Sequence, residues 1–110
     1  MAKYETSVNR PFSYVLDYLH DAILMGSMTA SYEDGSDFTV GDEGVSVRVY
    51  ERYSAMGGNR VTLTLTVAGN AQHTLVSAIT SGGSQAILFK LNTFGEEAFL
   101  DTVIEALDQI

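Results

Sequence analysis

The sequence predicts a small α+β domain: a curved antiparallel sheet of about five or six strands, with an N-terminal and a C-terminal helix packed on one face. Three observations predict it. VSVRVYERY (45–53) and VTLTLTV (61–67) alternate with a period of two, as half-buried strands do. Apolar residues recur at helical spacing near both ends of the chain. Glycine-rich turns separate the segments in between. The 110 residues suit a single domain over 1–110, and a hydrophobic content of 45% is enough to build its core.

KYETSV (3–8) alternates weakly and reads as a first strand. Asn9 is placed to cap the helix that follows, and Pro11 suits its first turn, where a missing N–H costs nothing. Phe12, Val15, Leu16, Leu19 and Ile23 form one apolar stripe, and Gly26 is the stop signal. MTASYE reads as a strand broken near Asp34-Gly35, with DGSD (34–37) as an acidic turn. Residues 34–44 admit either a short strand and a turn, or one strand continued past a bulge. Thr93 and Glu96 have the spacing of a capping box, so the last helix is expected from TFGE onward, with Leu100, Val103, Leu107 and Ile110 as its stripe.

The turns set which faces meet, because directly opposed residues point to the same side of a sheet. In SAITSGGSQAIL (77–88), a two-residue turn at Gly82-Gly83 opposes Val76 to Phe89 and Thr74 to Leu91. A turn with Gly69-Asn70 or Asn70-Ala71 at its centre sets Leu63, Leu65 and Val67 on the face of Thr74, Val76 and Ala78. An odd loop at Met56-Gly57-Gly58 brings Val45, Val47, Val49 and Tyr53 to that same apolar face. The free face then carries Arg48, Tyr50, Arg52, Thr62, Thr64 and Thr66, followed by Leu75, Ser77, Ile79, Ala86, Leu88 and Lys90.

Little in the chain points to catalysis. The glycine loop has no lysine and no helix behind it, so it does not read as a phosphate cradle. Ser84 is not in a nucleophile elbow. His20 and His73 are the only histidines, and neither has metal-ligand spacing. Glu51 is the one oddity. Alternation puts it among apolar residues, where a carboxylate would be driven up in pKa unless a rim position or an arginine relieved it. No catalytic residue, metal or cofactor is assigned.

The net charge is −8, and residues 31–47 carry five acids without a basic residue, which speaks against nucleic-acid binding. Only Arg48, Arg52 and Arg60 make a local basic island, around Glu51. There is no cysteine, no apolar run long enough for a membrane span and no apolar signal core at the start, so a soluble, cytoplasmic protein is expected.

The stretches VRVYERYSAMGGNRV, SAITSGGSQAI and NTFGEEAFLD resemble a family of short bacterial proteins of about this length and of unknown function. The resemblance covers nearly the whole chain. It implies a bacterial source and a single domain, and it transfers no activity and no functional residue. The element order also resembles small helix-grip folds, in which a curved sheet wraps a terminal helix. The leading expectation is a non-enzymatic binding or interaction domain, homodimeric through the free sheet face, with Arg48, Tyr50, Glu51, Arg52, Ser77, Ile79 and Leu88 as its contact residues. The alternative is a carrier of a small apolar molecule, held between sheet and helices with Glu51 or a tyrosine as anchor. An enzyme centred on Glu51 is the third reading.

Overall fold

A computed structural model describes residues 1–54, 59–82 and 89–110, with side chains left out over 89–94. The chain runs β1 (Ala2–Val8), α1 (Phe12–Met25), β2 (Ser31–Val40), β3 (Glu43–Tyr53), β4 (Arg60–Gly69), β5 (Thr74–Gly82) and α2 (Phe89–Leu107). The five strands form one antiparallel sheet in the order β1-β5-β4-β3-β2. The fold is therefore α+β with an N-terminal and a C-terminal helix, as the alternation and the two stripes predict. Neither helix is long and apolar enough to cross a membrane.

Helix α2 packs over β5, β4 and β1, α1 packs over β4, and the two helices pack against each other. Val15, Leu16, Leu19 and Ile23 of α1 meet Val61, Leu63, Leu65 and Val67 of β4, Val76 and Ala78 of β5, and Phe99, Leu100, Val103 and Leu107 of α2. All of these are buried, in keeping with the helical and period-two patterns of the sequence. Thr74 and Thr80 sit in the same layer and hand their hydroxyls to the carbonyls of Arg10 and Glu96 at 2.8 and 3.0 Å, so neither is buried unsatisfied.

The ends of the elements differ from expectation. Asn9 does not cap α1; its side chain lies 3.1 Å from the His73 ring, and the first free N–H of the helix, on Phe12, donates to the Asn70 carbonyl at 2.8 Å. Asn70 in turn closes the β4–β5 turn by accepting from the N–H groups of Gln72 and His73. That turn pairs Gly69 with Thr74 and so centres on Ala71-Gln72, one position on from Asn70-Ala71 and two from Gly69-Asn70, which preserves the predicted faces. The Asp34-Gly35 turn is not a turn. Here β2 is a single strand with a bulge between Tyr32 and Asp34, and it reverses at Gly41-Asp42, where Gly41 takes φ +62°.

The pairing of Val76 with Phe89 and of Thr74 with Leu91, expected from a Gly82-Gly83 turn, is not formed. Phe89–Leu91 belong to α2, and β5 already has β4 on one side and β1 on the other, so no edge remains for another strand. The rest of that stretch, residues 83–88, lies outside the described residues. Helix α2 also begins before Thr93, so Thr93 and Glu96 are interior to it. The Glu96 carboxylate, almost fully buried, meets the Met1 amino group at 2.8 Å.

Candidate functional site

The pairing of β3 with β4 decides what each face of the sheet offers. Tyr53 pairs with Arg60, and Ser54 N–H donates to the Asn59 carbonyl at 2.6 Å. The pairing thus leaves an even number of residues, 54–59, between the strands; Met56-Gly57-Gly58, on which an odd loop was expected, lies outside the described residues. The even count inverts the expected side of β3. Gly44, Ser46, Arg48, Tyr50 and Arg52 lie opposite Gly69, Val67, Leu65, Leu63 and Val61, on the helix side. Val45, Val47, Val49, Glu51 and Tyr53 lie on the free side.

The expected contact residues therefore separate. Arg48, Tyr50 and Arg52 are not on the free face. Glu51, Ser77 and Ile79 are on it, and Leu88 lies outside the described residues. The inversion is tolerated because α2 stands over β5, β4 and β1 and α1 over β4, so β3, met by one flank of α1, occupies the rim of the covered layer. A rim position takes amphipathic side chains: an aromatic body or an aliphatic stem is covered while the polar end reaches out. Tyr50 is fully buried, and Arg52 lays its guanidinium over the Phe99 ring at 4.5 Å. Burial pulls the Arg52 guanidinium below its ordinary pKa.

The free face can be read row by row from the strand register. One row runs Phe38, Val45, Ala68, Leu75 and Ser7; the next, Ser36, Val47, Thr66, Ser77 and Glu5; a third, Asp34, Val49, Thr64, Ile79 and Lys3. Charges lie towards the margins, and the centre is valine, threonine and alanine. Phe38, Val40 and Leu75 are each at least half exposed. Between β4, β5 and β1, beside Ala68 and Leu75, the face has a hollow of about 560 Å³. Glu51 is partly buried at the sheet margin, on the free side and ion-paired with Arg60, so it does not face the helices as an anchor between sheet and helices would.

A second arrangement lies on the helix side. The stripe Phe12, Leu16 and His20 recurs every four residues along the flank of α1, facing β2 and β3. His20 Nδ1 is 2.8 Å from Tyr50 Oη. The rings of His20, Tyr32 and Tyr50 form a triangle with centroid separations of 5.7 to 5.8 Å. Burial pushes the Tyr50 hydroxyl above the ordinary phenol pKa, and the neighbouring Arg48 guanidinium offsets part of that rise by hydrogen bonding and charge. Sequence reasoning missed this cluster. His20 reads as a lone edge histidine, and its two tyrosine neighbours are distant in sequence. The available signal was the four-residue spacing of Phe12, Leu16 and His20.

Below the cluster, a groove of about 330 Å³ opens between α1 and the β2–β3 hairpin, lined by Phe12, Leu16, Asp37, Thr39, Gly44 and Arg48. A Cβ at Gly44 would stand 2.6 Å from the Phe12 ring, so only glycine lets that ring lie on the strand. Ser46, fully buried, donates its hydroxyl to Asp37 Oδ1 at 2.6 Å.

No curated protein and no solved structure matches the chain significantly. A family model matches residues 1–110, and by that match the chain belongs to the Family of unknown function (DUF6054).

Proposed function

We propose that the protein is a non-enzymatic interaction domain that works as a homodimer through the helix-free face of its sheet. The observation that carries this reading is the apolar row Phe38–Val45–Ala68–Leu75, which crosses four strands with no element packed over it among the described residues. A sheet of five strands about 4.8 Å apart and about 30 Å long presents on the order of 700 Å². A standard interface uses about 800 Å² per partner. A two-fold axis supplies the complement: Phe38 projects at one end of the row, and the hollow beside Ala68 and Leu75 lies at the other. Each subunit then places its Phe38 against the partner subunit's Ala68. The absence of cysteine supports a cytoplasmic setting, and the resemblance of the sequence to short bacterial proteins supports a bacterial one.

Light scattering and sedimentation across the micromolar range test the reading. Wild type is expected to dimerise. Leu75→Glu and Val45→Lys are expected to be monomeric with unchanged circular dichroism. Salt is expected to tighten the dimer, because two subunits of charge −8 repel each other and salt screens that repulsion. A monomeric wild type, or dimers indifferent to both substitutions, would overturn it.

A further inference from the structure

The groove between α1 and the β2–β3 hairpin holds two opposite charges that are kept apart. Asp37 pairs across the sheet with Ser46, and Arg48 pairs with Gly35. Asp37 and Arg48 are therefore diagonal neighbours on one face, a relation that places Cα atoms ~7–8 Å apart and lets long side chains meet. They do not meet: among the described residues, the ion pairs join Met1 to Glu96 and Arg60 to Glu51. Each charge is held by its own hydroxyl neighbour. The buried Ser46 hydroxyl donates to Asp37 Oδ1, and Arg48 turns its guanidinium to the Tyr50 hydroxyl, which is itself 2.8 Å from His20. The interval between them is walled on the α1 side by Phe12 and Leu16.

We infer that this groove binds a free α-amino acid with an apolar side chain. Arg48 takes the carboxylate, as a guanidinium fork does. Asp37 takes the ammonium through the oxygen that Ser46 leaves free. The side chain lies on Phe12 and Leu16, over Gly44. Charge favours a zwitterion over either a plain anion or a plain cation. The β2–β3 hairpin also carries Asp34, Asp42 and Glu43, in a protein of charge −8, which repels a monocarboxylate at long range. A simple amine would leave Arg48 unmatched. A volume of about 330 Å³ is at the small end of ligand pockets, which suits one amino acid better than a peptide. The groove opens on the helix side, and Phe38 and Val45 of the dimer row also border it, so Leu75→Glu, at a residue that belongs to the dimer face and not to the groove, separates the two readings.

The probes are L-phenylalanine and L-leucine, titrated into ¹⁵N-labelled full-length protein up to about 10 mM, the weak end of specific small-ligand binding. Saturable shifts are expected at the amides of Gly35, Gly44 and Ser46. N-acetyl-L-phenylalanine, which lacks the ammonium, and phenethylamine, which lacks the carboxylate, are each expected to bind about tenfold or more weakly. Arg48→Met and Asp37→Asn, checked for an unchanged fold by their spectra, are expected to weaken phenylalanine by a similar factor, while Leu75→Glu leaves it unchanged. The inference is overturned if no shifts saturate with either amino acid. It is equally overturned if the three aromatic probes bind alike, or if neither groove substitution matters; both results describe a greasy surface without a zwitterion site.

Discussion

Strands β3 and β4 lie side by side, and each alternates apolar and polar residues, yet their apolar sets face opposite ways. In β4, Val61, Leu63, Leu65 and Val67 point at the helices and are wholly buried. In β3, Val45, Val47 and Val49 point away from the helices and are only partly covered, and the helix side receives Arg48, Tyr50 and Arg52. Alternation announces a strand and leaves its side undetermined; the loop that joins it to its neighbour determines the side. Where the helices stand directly above, β4 fills the space with valine and leucine. At the rim, a tyrosine and two arginines serve, because each has an apolar body and a polar end.

The largest effect expected from this difference is in stability. Leu65→Ala removes a fully buried side chain under the helices and is expected to cost about 2–5 kcal/mol. Val47→Ala, one strand over on the free face, is expected to cost under about 1 kcal/mol when the protein is dilute enough to be monomeric. Denaturant melts of both variants at low concentration check the pair. Equal costs would mean that β3 turns its valines inward after all.

Much of the fold was legible in the residues. The α1 stripe, the β4 alternation and the common face of β4 and β5 follow from spacing and turn chemistry alone. Two features were not. The side of β3 depends on whether the 54–59 loop is odd or even, and a Gly-Gly sequence is compatible with both. The segment AILFKL (86–91) is a short apolar run, and such runs suit a strand or a helix equally. Its Phe89–Leu91 part was expected to pair with β5, but β1 returns from the start of the chain to take that edge, a long-range pairing that no local pattern announces. The site inherited the β3 error: Arg48, Tyr50 and Arg52 are neighbours in sequence as expected, but they face α1 and α2, and His20 meets Tyr50 only because they do.

Tyr50 tests the rim at a finer scale. Tyr50→Phe preserves the ring and removes the hydroxyl between His20 and Arg48, so a loss of about 1 kcal/mol is expected at neutral pH. The pH dependence is more specific. The folded-state pKa of Tyr50 is raised, chiefly by burial, above the ordinary phenol value of about 10. Above pH 10 the unfolded chain gives up this proton while the folded protein keeps it. The contribution is fully present below pH 10 and is lost as pH rises through the folded value. Alkaline melts of wild type and Tyr50→Phe are expected to differ in slope only above about pH 10. Identical slopes would show the hydroxyl to be in water, and the rim as wet as the free face.

The smallest effect expected is at the margin of the free face, and it bears on both sides of the comparison. The Arg60 side chain is 57% exposed and that of Glu51 23%, so water screens much of their attraction. A double-mutant cycle of Glu51→Gln and Arg60→Gln is expected to give a coupling of about 0–1 kcal/mol in dilute protein, declining with salt. The same pair becomes a gauge of what covers the face. A second subunit seated on the valine and threonine rows excludes water from the margin as well as the centre, and a pair in drier surroundings couples more strongly. The coupling is therefore expected to rise with protein concentration in the wild-type background and to stay constant in Leu75→Glu. A coupling that is constant in both would leave the outward-facing valines of β3 uncovered at every concentration, and would confine the difference between the two strands to the helix side.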